Sequence, residues 1–71
     1  MKRRVLLQRV AVAARSGGLS WELVRQGSEH EVWALDGRRI TIPRHREINE
    51  LTAHDIMKAL EEEFGRRWWE T

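Results

Sequence analysis

The sequence predicts an α+β domain in the order helix, three strands, helix, and three observations predict it. A tight-turn signal, Asp36-Gly37, separates two short runs rich in β-branched and aromatic residues. A third alternating run, Leu19 to Arg25, precedes that pair. Stretches with helical spacing of apolar residues stand at either end. The expected architecture is α-β-β-β-α, a three-stranded antiparallel sheet with two helices on one face. At 71 residues the chain holds one domain, 1–71, near the lower size limit for folding on its own core.

The first helix is expected over 2–16. Leu6, Val10 and Ala13, with Ala14 and Gly17, share one face, while Arg4, Gln8 and Arg15 fall on the other. Gly17-Gly18 ends it, because glycine takes the left-handed conformation that closes helices. In LSWELVR (19–25), Leu19, Trp21 and Leu23 alternate with Ser20 and Glu22, as in a strand with one buried face. Gln26-Gly27-Ser28 turns the chain back.

The hairpin of 29–35 and 38–43 organises the rest. Asp-Gly accepts the positive φ values of a type I′ turn, and a two-residue turn fixes the register. Leu35 then faces Arg38, Trp33 faces Ile40, Val32 faces Thr41 and His30 faces Pro43. Side chains alternate between faces, so Trp33, Leu35, Ile40 and Ile42 form a core face. His30, Val32, Arg39 and Thr41 form an open one, which His45 continues just past the strand. Pro43 lacks an amide hydrogen and ends the last strand or marks an edge.

For the second helix, Thr52 is the expected N-cap, with Asp55 as capping-box partner and Leu51 and Ile56 as a hydrophobic staple. Ile56, Leu60 and Phe64, with Ala53 and Met57, form its packing stripe, and Gly65 ends it. Glu61-Glu62-Glu63 would then oppose the helix dipole, with Arg66 and Arg67 as candidate partners. Residues 65–71 form a Trp-rich tail, in which at least one of Trp68 and Trp69 is expected to pack back on the helices.

Charge is unevenly spread. Residues 1–46 hold ten Lys/Arg and four Asp/Glu, whereas 47–71 hold three and seven. Eleven of the thirteen cations are Arg, the side chain suited to bidentate phosphate contact. Arg39, Arg44 and Arg46 surround the hairpin, so a basic face for a polyanion is expected beside the plainer reading of a solvated mixed surface. With no Cys there is no disulfide framework, thiol nucleophile or thiolate metal site. The N-terminal MKRRVLLQRVAVAAR begins as a signal peptide does, but Gln8 and Arg9 cut its apolar run. No stretch approaches the ~18–20 residues of a membrane span. A soluble cytoplasmic protein with no membrane partner is expected.

The segments VRQGSEHEVW, GRRITIPRHREI and TAHDIMKAL, in that order, resemble the HicA toxins, small mRNA interferases of type II toxin–antitoxin systems. The resemblance covers roughly 19–60, and the order of elements covers 2–64. It implies a double-stranded-RNA-binding-domain-like fold, metal-independent cleavage of mRNA without a cofactor, and neutralisation by a HicB-like antitoxin. The family's catalytic histidine follows a Gly-Ser pair, and His30 matches it here. This chain departs from the pattern in carrying Glu29 between Gly27-Ser28 and His30. It departs again over Arg46 to Leu51, where many members have a glycine after the histidine and a Gly-Thr before the helix.

The chemistry suits these residues. RNA is cut when a base takes the 2′-hydroxyl proton, the neighbouring phosphorus is attacked in line, and an acid protonates the leaving oxygen. Imidazole, with an ordinary pKa near 6.5, serves either proton transfer. His30 is the candidate base and His45 the candidate acid, with Arg39, Arg44, Arg46 and Thr41 as RNA contacts. Glu29 and Glu31 flank His30, where they would act on its charge and repel phosphate. His54 is expected to be structural or solvent-facing. His30, His45 and His54 lack the compact spacing of a metal site, so none is expected. Two other readings fit the same residues, a non-catalytic RNA-binding module and a protein-interaction domain using Trp68-Trp69. The sequence leaves the oligomeric state open.

Overall fold

The computed structural model describes residues 1–70, so Thr71, the last residue of the tail, lies outside the described residues. The element order is α1 (Arg3–Gly17), β1 (Trp21–Gln26), β2 (His30–Leu35), β3 (Arg38–Pro43), α2 (Glu50–Ala59) and α3 (Glu61–Phe64), then a 3-10 turn over Trp68–Glu70. The strands form one antiparallel sheet in the order β1-β2-β3. This is the expected α-β-β-β-α layout with further short helix at its end. No described helix is long and apolar enough to cross a membrane.

The hairpin has the register its turn dictates. Asp36 (φ 50°) and Gly37 (φ 92°) both take positive φ, as a type I′ turn requires. Leu35 pairs with Arg38, Trp33 with Ile40, Val32 with Thr41 and His30 with Pro43. Leu35, Ile40 and Ile42 are buried with Leu6, Val10 and Ala14 of α1, and with Ala53, Met57 and Leu60 around α2. The helices therefore cover one sheet face and leave the other open. Trp33 belongs to the covered face but is half-buried at its margin, stacked on Trp21 with ring centroids 4.8 Å apart.

Helix α1 closes as expected. Gly18 adopts a left-handed φ of 70°, and the Leu19 amide donates to the Ala14 carbonyl at 2.8 Å. Strand β1 departs from its expected buried face. The pairing shifts by a residue between Leu23 and Arg25, a β-bulge, and Leu23 and Val24 are 44% and 42% exposed.

The second helical region differs in three ways. Its cap is Asn49, whose Oδ1 accepts from the Leu51 amide at 2.8 Å, so Thr52 lies inside the first turn and Leu51 is exposed rather than stapled. The buried Ile48 side chain accounts for the early start. Its amide donates to the Met1 carbonyl, and the Met1 ammonium donates to the Ile48 carbonyl and to Glu50, which pins the chain one residue before the cap. That ammonium is held above its ordinary pKa of 8.0, chiefly by the Glu50 hydrogen bond, so its contribution is present at neutral pH and lost as pH rises past the raised value. Next, the helix breaks at Leu60 and restarts as α3. Glu61, Glu62 and Glu63 thereby stand in a first turn, where the backbone amides favour negative charge instead of opposing it. Finally, Glu62 and Glu63 pair with Arg38 at 3.2 and 2.7 Å, while Glu61 accepts from the Arg67 amide.

The tail packs back. The Trp68 indole donates to the Met57 carbonyl at 2.8 Å and meets Phe64 edge-on, with ring centroids 4.8 Å apart.

Among the described residues, Glu31 is the one buried charged residue, 6% exposed on the helix-covered face. Alternation carries it through the sheet, away from His30. Its carboxylate accepts from the Arg3 guanidinium, from Trp33 Nε1 (3.1 Å) and from Gln26 Nε2 (3.4 Å), and Arg44 Nε lies 3.9 Å away. Arg3 also donates to the Pro43 carbonyl at 2.9 Å. A buried carboxylate that loses its main cation is left uncompensated. Arg3→Met should therefore cost about 3–5 kcal/mol in chemical denaturation. Adding Glu31→Leu should recover most of that loss. Equal unfolding midpoints for parent and single variant would show that the pair does not hold α1 to the sheet.

Candidate nucleic-acid interface

The open face is assembled by strand pairing. Paired residues share a face, so β2 presents His30, Val32 and Ala34 there, and β3 presents Arg39, Thr41 and Pro43. The bulge adds a residue that sequence reasoning missed. With an unbroken register after the Leu23–Trp33 pair, Arg25 would sit opposite Glu31 on the covered face. The shift pairs it with Val32 instead and brings it to the face of His30 and Arg39. Nothing local in LSWELVR marks this.

His30 is exposed and starts β2. It lines a shallow groove of about 350 Å³ between β3 and α2, with Thr41 and Pro43 on one side and Thr52, Asp55 and Ile56 on the other. The loop before it is tightly held. The Gly27 amide donates to the His30 carbonyl at 2.9 Å, and the Arg44 amide donates to the Glu29 carbonyl at 2.9 Å. Arg44 Nη1 donates to the Gly27 carbonyl at 2.6 Å.

The expected site residues therefore separate into groups. His30, Thr41 and Arg39 share the open face, all exposed. Arg44 is a brace on the His30 loop, with its guanidinium between Gly27 and Glu31 and 38% of its side chain exposed. His45 and Arg46 are exposed beyond the end of β3, and the Arg46 carbonyl accepts from the Arg3 amide. His45 does not line the groove that His30 lines. Glu31, expected to flank His30, faces the other way, while Glu29 remains exposed in the loop. His54 is exposed, edge-on to Trp69 with ring centroids 5.6 Å apart.

Among the described residues, Arg25 and Arg39 have no salt-bridge partner. An exposed imidazole and two uncommitted guanidiniums on one face provide a proton-transfer group and anion contacts.

No protein-family model, curated protein or solved structure matches this chain.

Gly27 is the tightest point of the loop. A Cβ there would lie 3.0 Å from the His30 carbonyl oxygen, the atom its own amide bonds. Gly27→Ala should cost about 1–3 kcal/mol, as overpacking does, and should shift the His30 amide resonance. An unchanged spectrum around His30 would show slack in the loop.

Proposed function

We propose that this chain is a metal-independent endoribonuclease toxin of the HicA kind, acting on mRNA in the cytoplasm and neutralised by a HicB-like antitoxin. The observation that carries the reading is the placement of His30. It stands exposed at the start of β2, on a face with Arg25, Arg39 and Thr41, beside a groove, in a loop braced by Arg44. The Gly-Ser and Pro-Arg-His segments of the family resemblance flank this one place in the fold.

In the reaction, the His30 imidazole takes the proton of a ribose 2′-hydroxyl. The O2′–P bond forms as the P–O5′ bond breaks, and His45 as imidazolium returns a proton to the leaving O5′. Arg25 and Arg39 hold the RNA backbone, and Thr41, on the same face, lines the groove beside His30. The products are a 2′,3′-cyclic phosphate and a free 5′-hydroxyl.

A second reading has its own support. His45 is outside the groove that His30 lines, and a face with a base but no acid in place would bind RNA without cutting it.

Purified protein free of antitoxin should cut single-stranded RNA in EDTA and leave 2′,3′-cyclic phosphate ends. His30→Ala should abolish cleavage with an unchanged melting temperature, because an exposed strand-end position tolerates truncation. His45→Ala should slow cleavage on the order of 10²–10⁴-fold. Undiminished cleavage by His30→Ala would overturn the mechanism. RNA bound but left intact by the parent would select the binding-module reading.

A further inference from the structure

On the side of α1 turned away from the sheet lies a second groove, of about 820 Å³, that shares no residue with the His30 groove. α1 forms its floor with Val5, Val12 and Ala13, and the tail forms its wall with Phe64, Trp68 and Trp69. Val12 is 55% exposed. These α1 positions lie outside the buried Leu6, Val10 and Ala14 stripe, so apolar side chains, interleaved with Gln8, Arg9 and Ser16, continue onto a side of the helix that the fold leaves partly open.

Three features specify what fits. Gln8 and Ser16 are the uncharged polar side chains of the α1 floor, and that floor is a helix whose backbone groups are already paired. An extended segment laid there would leave its amides and carbonyls without partners, whereas a helix satisfies its own. The floor runs from Val5 to Gly17, about 18 Å at the helical rise, room for roughly three turns of a partner helix. Charge then selects among helices. Arg9 and Arg66 line the groove, and neither has a salt-bridge partner among the described residues. The one acidic side chain in the lining, Glu63, is already engaged by Arg38 at 2.7 Å.

We infer that this groove docks an acidic amphipathic helix of a partner protein, its apolar stripe against Val12, Trp68 and Trp69 and its carboxylates on Arg9 and Arg66. A second copy of this chain does not meet that description. α1 carries four arginines and no acidic residue, so two copies would bring like charges together. The acidic run Glu61–Glu63 is committed to Arg38 and the Arg67 amide. The inference does not rest on the ribonuclease reading, because the two grooves share no residue.

The test uses the full chain and two synthetic 14-residue peptides. Both carry Leu at i, i+3, i+4 and i+7, one with Glu and the other with Lys at the remaining charged positions. Binding is followed by fluorescence anisotropy of a label on the peptide. The Glu peptide should bind at least tenfold more tightly than the Lys peptide. Val12→Glu should weaken the Glu peptide at least tenfold with an unchanged melting temperature, since Val12 supports no core contact. The double variant Arg9→Glu, Arg66→Glu should reverse the preference. Equal binding of both peptides, no binding of the Glu peptide, or insensitivity to Val12→Glu would overturn the proposal. So would sedimentation equilibrium showing a dimer that Val12→Glu dissolves, because the occupant would then be a second copy.

Discussion

The buried carboxylate of Glu31 is the interaction on which the rest of the structure depends. Four side chains converge on it: Arg3 from α1, Gln26 from β1, Trp33 from β2 itself, and Arg44 from just beyond β3. A carboxylate in an apolar interior without partners costs several kcal/mol, so the chain is held to arrangements that supply them. One consequence is register. Slipping β2 by one residue would send Glu31 to water and His30 beneath the helices, so the network that satisfies Glu31 also keeps the imidazole outside.

The network also couples the core to the site. Arg44 reaches Glu31 with one part of its guanidinium and the Gly27 carbonyl with another. The loop that precedes His30 is therefore tied through one side chain to the buried charge. Arg44, a candidate phosphate contact by sequence, also braces the loop before His30 in the fold. The bulge in β1 turns Arg25 to the open face beside Arg39. Bulges commonly re-aim side chains next to functional surfaces, and here the re-aimed group is a guanidinium.

Much of this was legible in the sequence, where local chemistry has one low-energy solution. Asp36-Gly37 dictated a type I′ turn, and with it every pair from Leu35–Arg38 to His30–Pro43. The helical spacing placed Leu6, Val10 and Ala14 on the buried stripe of α1 and Gly17-Gly18 at its end, whereas Ala13 and Gly17, expected on the same face, line the outer groove instead. What was not legible depended on distant partners. Thr52 with Asp55 has the pattern of a capping box, yet Asn49 caps because Met1 pins Ile48 next to it. The acidic run Glu61–Glu63 reads as a poor helix end until Arg38, more than twenty residues earlier, pairs with two of its members. For the site, His30 and its open face followed from alternation, whereas Arg25 did not, because a bulge breaks alternation without a local signal. Alternation also places Glu31 opposite His30, and its neighbourhood in sequence concealed that.

We propose that RNA lies on the sheet face carrying His30. The most direct measurement is amide shift mapping of the 15N-labelled chain against an oligonucleotide with 2′-O-methyl groups, which cannot undergo the cleavage step. Perturbations are expected at Arg25, His30, Arg39, Thr41 and the Gly27–Glu29 loop, with α1 positions such as Val12 unmoved. Perturbations confined to α1 and the Trp68–Trp69 tail, or none at His30 under saturating oligonucleotide, would contradict it.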